Sequence, residues 1–160
     1  MPDMLVRLYD MPEAFDENLL SHHEIAVKRA LSLDKSTVLE FVRKNFYDNW
    51  VGECERAINN DPSSCYIAVK NCTVVGFACY DATAKGVFGP MGVLESMRGE
   101  GVGEVLLRYC LRSMEEKGYA YAIIGWVTDA VGFYEKTVGA ELIEGSSPDK
   151  SIYKNLISQK

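Results

Sequence analysis

Apolar and polar residues repeat with two different periods along this chain, and the period predicts the type of each element. Residues 4–10 and 25–30 alternate apolar and polar positions, which predicts two short strands. The polar segment between them is predicted to be partly helical. Residues 32–46 and 48–59 carry apolar side chains every three or four positions behind a Ser or Asp, which predicts two amphipathic helices. The strand at 25–30 is predicted to be the first strand of the core.

The second half of the chain is rich in predicted strands. Three short apolar runs separated by turn residues predict three strands, the first two paired as a hairpin: 65–70, 73–81 and 86–94. The pattern then predicts, in order, a long amphipathic helix, a buried strand, a short helix and two closing strands: 101–117, 119–127, 129–138, 140–145 and 150–156. Strands grouped around one long crossover helix indicate a single mixed α/β sheet.

Length and composition place these elements in one globular domain. The chain has 160 residues, of which 48% are hydrophobic and 25% are charged, and such a chain can bury a core of its own. No apolar run approaches the roughly 20 residues that span a bilayer. Residues 1–10 lack the basic start and the apolar block of a signal peptide. We therefore expect a cytoplasmic protein without membrane contact.

Charge and cysteine content exclude further classes of protein. The net charge is −6 and the basic residues form no cluster, which argues against nucleic acid as a partner. The five cysteines are an odd number, form no Cys-x-x-Cys pair and lie within apolar segments. They are therefore predicted to be buried thiols in a reducing compartment, and no metal site is predicted.

Three glycines at alternate positions stand at the start of the long predicted helix. Gly99, Gly101 and Gly103 follow Arg98. The first N–H groups of a helix lack helical acceptors and carry partial positive charge, so they bind anions, and glycine lets an anion come close to them. Arg98 can add a charge-assisted hydrogen bond worth roughly 1.5–3 kcal/mol. The pattern predicts a phosphate site; a glycine-rich turn that binds nothing is the alternative.

The spacing of these glycines differs from two common phosphate motifs. A P-loop needs Lys followed by Ser or Thr after its last glycine, but Glu104 and Val105 follow Gly103. A dinucleotide fingerprint needs Gly-x-Gly-x-x-Gly, whereas these glycines alternate strictly. Another phosphate-ligand enzyme or a nucleotide-binding domain is therefore disfavoured but stays open.

The strand at 86–94 contains a proline where a central strand needs an N–H group. Pro90 cannot donate to a ladder, and Gly89 and Gly92 flank it, which predicts a β-bulge or a local separation from the neighbouring strand. Separation leaves main-chain N–H and C=O groups unpaired, and an extended ligand with two amides can add there as a strand does. An edge strand that tolerates a proline is the alternative.

The pattern Arg98-x-x-Gly101-x-Gly103, after a strand and at a helix start, resembles the cofactor turn of the GNAT superfamily of acyl-CoA-dependent N-acetyltransferases. FYEKTVGAEL, at 133–142, resembles the late Tyr-Glu-Lys signature of that family and the strand after it. The resemblance covers residues 24–154. It implies an α/β (α+β) fold: a single mixed, mostly antiparallel sheet of about seven strands with splayed central strands, flanked by about four helices. Residues 24–160 would form the acetyltransferase domain, behind an N-terminal addition at 1–23.

The resemblance also implies acetyl-CoA, or coenzyme A, as co-substrate and suggests its contacts. The residues expected to bind it are Met91, Gly92, Val93, Arg98, Gly99, Glu100, Gly101, Val102, Gly103 and Glu104. The turn would hold the pyrophosphate and the strand the pantetheine, with the Val93 N–H polarising the thioester carbonyl. Many members carry an asparagine where this chain has Val127, so the pantetheine needs another partner here, such as Thr128 or the backbone.

Tyr134 matches the general-acid tyrosine of that family. Its ordinary pKa of about 10 keeps it protonated at neutral pH, so it can donate to a departing thiolate. A core aromatic on a short helix is the alternative. Direct transfer in a ternary complex is expected, because no cysteine is predicted near the thioester.

The sequence leaves the general base open. At pH 7 a lysine-like amine costs about 4.6 kcal/mol to deprotonate and an α-amino group about 1.2 kcal/mol, so an alkylamine acceptor needs help. Glu53, Asp81 and Glu95 are the candidate carboxylates, with Glu53 or Asp81 preferred among them, but the sequence favours a solvated surface group for each. The acceptor is expected to be a primary amine of a small molecule or a peptide.

A non-catalytic module that senses acyl-CoA is the alternative to an enzyme, since the same turn would serve both. Exposed late strands could pair across a homodimer, as is common in the family. Arg108 and Arg112 are four residues apart on the long helix and are expected on its solvated face.

Overall fold

The computed structural model describes residues 1–13, 18 and 20–157. Much of the predicted partly helical segment before residue 24, namely residues 14–17 and 19, lies outside the described residues, as do residues 158–160. The strands are β1 (Met4–Arg7), β2 (Ile25–Arg29), β3 (Cys65–Lys70), β4 (Thr73–Tyr80), β5 (Val87–Val93), β6 (Tyr121–Ile124) and β7 (Glu141–Leu142). The helices are α1 (Lys35–Asn45), α2 (Asp48–Asn59), α3 (Val102–Glu116) and α4 (Val131–Val138).

The described strands form one sheet of 7 strands in the order β2-β3-β4-β5-β6-β1-β7. Every neighbouring pair is antiparallel except β5 and β6, which are parallel and joined through α3. The predicted mixed, mostly antiparallel sheet with flanking helices is therefore confirmed.

The first strand of the core is β1, whereas the sequence pattern predicts that role for β2. β1 lies between β6 and β7, and its Met4 and Val6 side chains are fully buried, while β2 forms an edge of the sheet. Alternation identifies a strand but carries no information about its place in the sheet, which explains the difference. The domain boundary at residue 23 stays a prediction.

The helices pack on opposite faces of the sheet. Val38 and Val42 of α1 join Cys54 and Ala57 of α2 in a buried cluster with Phe77 of β4, on what we call the α1/α2 face. A second cluster lies on the α3/α4 face and includes the following buried residues of β5, β6, α3 and α4: Phe88, Ile124, Leu106, Leu107, Leu111, Tyr134 and Val138. The sheet therefore separates two apolar cores.

The parallel strands β5 and β6 part after two paired residues. Val87 pairs with Ile123 and Phe88 with Ile124, and the described pairing ends there. The chain then turns away: the Trp126 N–H donates to the Asp3 carboxylate at 3.0 Å, and the next N–H, that of residue 127, donates to the carbonyl of residue 2 at 2.9 Å. The segment after β6 therefore bonds to the N-terminal segment instead of β5, which confirms the predicted splaying.

A bulge bends β5 at the point where it leaves β6. Ala78 pairs with Met91 and Tyr80 with Phe88, so Gly89 and Pro90 together oppose a single residue of β4. The bulge lies where the glycine–proline pattern predicts it, and Gly89 has the positive φ of 117° that favours glycine there.

Gly92, the second glycine of that strand, is needed for a different reason. A Cβ on Gly92 would lie 2.6 Å from two ring carbons of Phe46, so glycine is needed for the ring to pack against β5.

The end of the described chain departs from the predicted pattern. β7 has 2 residues, and the predicted strand at 150–156 is instead a 3₁₀ turn, Pro148–Lys150, followed by further turns. Exposed Ile152, Leu156 and Ile157 produced the apolar pattern without a strand partner. Among the described helices, none is both long and apolar enough to cross a membrane.

Candidate active site

The open edge of β5 presents unpaired main-chain groups between the two faces. The Leu94 N–H donates to the Val75 carbonyl of β4 at 3.0 Å, and Val93 lies opposite Gly76. In an antiparallel ladder alternate residues bond to the partner strand, and the residues between them point their N–H and C=O away from it. Val93 and Met91 therefore direct these groups toward the side from which β6 has departed.

The glycine turn precedes a helix whose first N–H groups are open. Gly99 and Gly101 both have φ of 84°, a left-handed conformation that favours glycine. The first helical bond runs from the Val105 N–H to the Gly101 carbonyl at 3.1 Å, and no side chain caps this end of α3. The N–H groups of Val102, Gly103 and Glu104 therefore lack helical acceptors.

Gly103 is the point where the turn, the open strand and α4 meet. A Cβ there would lie 3.8 Å from Val93 Cγ2, 3.9 Å from Phe133 Cζ and 4.0 Å from Met91 Cε, all ordinary contact distances. The packing of the protein itself therefore does not require glycine at this position. Exposed Arg98 lies at the near end of the turn and forms no ion pair with any residue that the structure describes.

Two acidic side chains of the turn have different surroundings. Glu100 Oε2 is buried without a hydrogen-bond partner among the described residues, and its nearest cation is the Nδ1 of His23 at 4.0 Å. Glu104 accepts from Arg108 Nε at 3.1 Å, so its N–H, rather than its carboxylate, faces the open end of the helix.

Arg108 is buried, and its predicted place on a solvated helix face is wrong. Its guanidinium also donates to the Pro12 carbonyl at 2.8 Å and to the Thr137 carbonyl at 2.6 Å. These bonds tie α3 to the N-terminal segment and to α4. The i, i+4 spacing to Arg112 could not reveal this, because the acceptors come from distant parts of the chain.

Tyr134 lies on the α3/α4 face beside the point where β5 and β6 part. Its ring packs against Phe88, the last residue of β5 that pairs with β6, with ring centroids 6.4 Å apart. It also packs against Phe133, with centroids 5.3 Å apart. The side chain is 8% exposed, and burial raises its pKa to about 12. Its hydroxyl bonds to none of the described residues, so a protonated donor is available at neutral pH.

Asp81 lies in a structural network at the closed end of the β5/β6 pair. Its carboxylate accepts hydrogen bonds from the Gly86 N–H and Lys117 Nζ at 2.8 Å and from the Tyr119 hydroxyl at 3.0 Å. Burial alone would raise the pKa of Asp81, but these hydrogen bonds outweigh it and leave the pKa lowered. Such a carboxylate is a poor proton acceptor.

Glu53 has the opposite environment. It projects from α2 on the α1/α2 face, is half-buried, and accepts one hydrogen bond, from the Thr83 hydroxyl at 2.5 Å. Burial raises its pKa, and the Thr83 bond only partly offsets this. The surroundings thus distinguish the two predicted bases, Glu53 and Asp81. Glu53 is the one whose carboxylate can take up a proton.

Tyr153 is a residue of this region that the sequence did not reveal. Its ring packs against Trp126 with centroids 5.1 Å apart, and it lies directly on Gly125, where any side chain would collide with its hydroxyl. Thr83 is a hydrogen-bond partner of that hydroxyl. No local motif marks this tyrosine, because its partners Trp126, Gly125 and Thr83 are 27 to 70 positions away along the chain and only folding brings them together.

Three cysteines form a buried group that the sequence also did not reveal. The sulfur atoms of Cys54, Cys65 and Cys79 all lie within 4.8 Å of one another, with the first two 3.8 Å apart. They come from α2, β3 and β4, so their spacing resembles no metal motif. Four of the five cysteines are buried free thiols, as predicted, whereas Cys72 is exposed and the prediction is wrong there. Three sulfur ligands could hold a soft metal ion. The prediction that the chain binds no metal stays a prediction.

The sheet thus splits beside the uncapped, glycine-rich start of α3. The chain belongs to the acetyltransferase (GNAT) family: the sequence model of that family matches residues 28–140. The resemblance drawn from the cofactor turn and the Tyr-Glu-Lys segment is therefore confirmed. No curated protein matches the sequence.

Solved structures share this fold at low sequence identity. A GCN5-related N-acetyltransferase from Sphaerobacter thermophilus aligns with a TM-score of 0.66 and 21% identity over 89% of this chain and 48% of its own. The GCN5-related glucosamine N-acetyltransferase region of a fungal multi-domain GH3 β-N-acetylglucosaminidase aligns with a TM-score of 0.70 and 14% identity. That alignment covers 89% of this chain and 19% of the fungal chain. This chain thus spans less than half of either protein.

A third structure matches over nearly its full length. It is a GNAT family acetyltransferase from Brucella melitensis in complex with acetyl-CoA, with a TM-score of 0.56 and 18% identity over 81% of this chain and 95% of its own. The fold is therefore found in a protein of similar size that binds acetyl-CoA.

Proposed function

We propose that this protein transfers the acetyl group of acetyl-CoA directly to a primary amine of a small molecule or a peptide. The observation that carries the proposal is the meeting of the open β5 edge with the uncapped start of α3 at Gly103, next to the Phe133 ring that packs against Tyr134. Acetyl-CoA supplies an activated acetyl thioester, and the chain has to hold it, polarise it and protonate the departing sulfur.

The open N–H groups fit the phosphates of coenzyme A. The N–H groups of Val102, Gly103 and Glu104 and the guanidinium of Arg98 would hold the pyrophosphate, as a helix N-terminus holds other phosphates. The main-chain groups of Val93, which point away from β4, would pair with a pantetheine amide.

The thioester carbonyl fits better at the Met91 N–H than at Val93. The polarising donor and the acid must both reach the same thioester group, within hydrogen-bond distance of about 2.6–3.2 Å. Tyr134 packs against Phe88, which is nearer to Met91 along β5. We therefore move the predicted oxyanion contact two residues back and leave Val93 to the pantetheine.

Tyr134 would protonate or hydrogen-bond the departing sulfur. Its raised pKa of about 12 keeps the phenol protonated over the whole working range, and its hydroxyl has no competing acceptor among the described residues. Glu53 would accept the proton of the amine, because its half-buried carboxylate accepts a single hydrogen bond.

Two measurements test the proposal. Thermal unfolding with CoA, acetyl-CoA, ATP or NAD in separate samples should show stabilisation of several degrees by the two CoA species alone. Tyr134→Phe should keep that stabilisation and lower kcat about 10²- to 10⁴-fold with any accepted amine. Tyr9→Phe, at an exposed tyrosine of the N-terminal segment, is the matched control. CoA binding without turnover of a broad amine panel would instead favour the non-catalytic module.

A further inference from the structure

Tyr153 lies at the level where the sheet opens, on the face opposite Tyr134. Ile124 is the last paired residue of β6 and belongs to the α3/α4 core. Side chains alternate along a strand, so Gly125 faces the α1/α2 side, and it is there that the Tyr153 ring packs against it. The two tyrosines therefore flank the opening from opposite faces.

Two hydroxyl groups connect this point to a half-buried carboxylate. The Tyr153 hydroxyl is hydrogen-bonded to Thr83, and the Thr83 hydroxyl donates to Glu53 at 2.5 Å. Besides burial, the charged groups whose negative charge raises the pKa of Tyr153 are Glu53 and Asp3. Glu53 is the carboxylate that the Thr83 hydroxyl reaches, whereas the Asp3 carboxylate accepts the Trp126 N–H at 3.0 Å.

The acceptor amine has to approach from this side. The α3/α4 face of the opening is occupied by the Tyr134 and Phe133 rings and by the start of α3. The α1/α2 face instead presents a half-buried carboxylate and the rings of Trp126 and Tyr153. A carboxylate beside aromatic rings is a suitable environment for an ammonium group.

We propose that Tyr153, Thr83 and Glu53 form the acceptor side of the active site and carry the proton of an alkylammonium acceptor away. This rests on the proposed acetyl transfer and names its acceptor class: a primary alkylamine that arrives protonated. Tyr153 contacts the amine and is a catalytic residue in that sense, whereas Thr83 connects it to the base.

The proton transfer balances without any further reactant. The N–H bond of the ammonium breaks as its proton bonds to the Tyr153 oxygen. The proton of Tyr153 moves to the Thr83 oxygen, and that of Thr83 moves to the Glu53 carboxylate. The nitrogen keeps its electron pair for attack on the acetyl carbon, and Glu53 ends as a neutral acid that later returns the proton to solvent.

The test compares two amines that differ in basicity. At pH 7 about one molecule in 2,500 of an alkylamine such as propylamine is neutral, against about one in nine of an α-amino compound such as glycinamide. Removal of the proton by the relay should therefore contribute far more to the acetylation rate of propylamine than to that of glycinamide. Glu53→Gln, Thr83→Val and Tyr153→Phe should each lower kcat/KM for propylamine by about 100-fold or more. For glycinamide the loss should be less than about tenfold, and raising the pH should narrow the loss for propylamine.

Two controls separate this effect from misfolding. Glu55→Gln removes an exposed carboxylate from the same helix, where it pairs with Lys35, and should leave both amines unaffected. Stabilisation by CoA should be the same in every variant, because none of them touches the glycine turn. Calorimetric titration of propylammonium into the CoA-bound protein adds a readout that does not depend on turnover, and Glu53→Gln should abolish that binding.

Each result bears on the relay. Equal losses for both amines would mean that these residues only position the acceptor, and no loss would mean that they do not meet it; either overturns the proposal. If the wild-type protein acetylates neither amine, the titration decides: propylammonium binding that Glu53→Gln abolishes supports the acceptor site, and its absence overturns it. Failure of the proposed function itself would instead appear as no stabilisation by CoA.

Discussion

Replacing Gly103 by alanine should change stability and cofactor binding in opposite directions. Gly103 lies in the first turn of α3, and a Cβ there meets the protein only at ordinary contact distances of 3.8 to 4.0 Å. Its φ is not positive, so alanine fits the backbone without strain. Replacing a helical glycine by alanine is worth roughly 0.5–1 kcal/mol, and we expect the ligand-free variant to melt about 1–4 °C higher.

The same methyl group should weaken binding of coenzyme A. It would stand at the meeting point of the turn, Met91 and Val93, which is where the ligand has to approach the first N–H groups of the helix. We expect the dissociation constant to rise at least about tenfold, which corresponds to about 1.4 kcal/mol. The stabilisation by saturating CoA should then be about 3–6 °C smaller than in the wild type.

The assay is thermal unfolding of both proteins with and without CoA, supported by calorimetric titration. Gly52→Ala is the matched control, because Gly52 is an exposed residue of α2 with nothing within 4 Å of an added Cβ. It should raise the melting temperature and leave CoA affinity unchanged. A Gly103→Ala protein that is stabilised yet binds CoA as tightly as the wild type would refute the assignment of the pyrophosphate to this helix start.

Two further predictions concern the surroundings of the site. Asp81 has a lowered folded-state pKa, so its stabilising contribution is complete above its ordinary value of 3.8 and is lost as the pH falls through the folded value. As the pH falls from about 4 to about 2, melting temperatures should therefore fall less in Asp81→Asn than in the wild type. Of the five cysteines only Cys72 is exposed, so an aromatic disulfide reagent should titrate one thiol quickly in the native protein and five after denaturation. Fast reaction of a second native thiol would contradict the buried packing of Cys54, Cys65 and Cys79.

The backbone conformation of the proposed cofactor side could largely be predicted because its determinants are local. The turn from Arg98 to Gly103 depends on positive φ angles and on a helix start, which short-range sequence specifies. The bulge at Gly89 and Pro90 likewise follows from what these two residues do to a strand. The sequence predicts the thioester contact at Val93, and our proposal of Met91 instead rests on the contact between Tyr134 and Phe88, which no local pattern reveals.

The acceptor side could not be predicted to the same extent. The sequence alone does not distinguish Glu53 from Asp81 as a base. Only the packing shows that the Asp81 carboxylate accepts hydrogen bonds from Lys117, Tyr119 and a backbone N–H, whereas that of Glu53 accepts one. The predicted strand at 150–156 hid Tyr153 altogether, because its exposed apolar neighbours imitate a strand pattern.

The sequence by itself determined most of the strands and helices, the place of the glycine turn and the bend of the central strand. These follow from periodicity and from the conformational preferences of glycine and proline, which act over a few residues. Only the tertiary structure decided the internal position of β1, the grouping of the three thiols and the connection from Tyr153 through Thr83 to Glu53. Those depend on how elements distant in the chain pack together, since a side chain's pKa and partners are set by its neighbours in space.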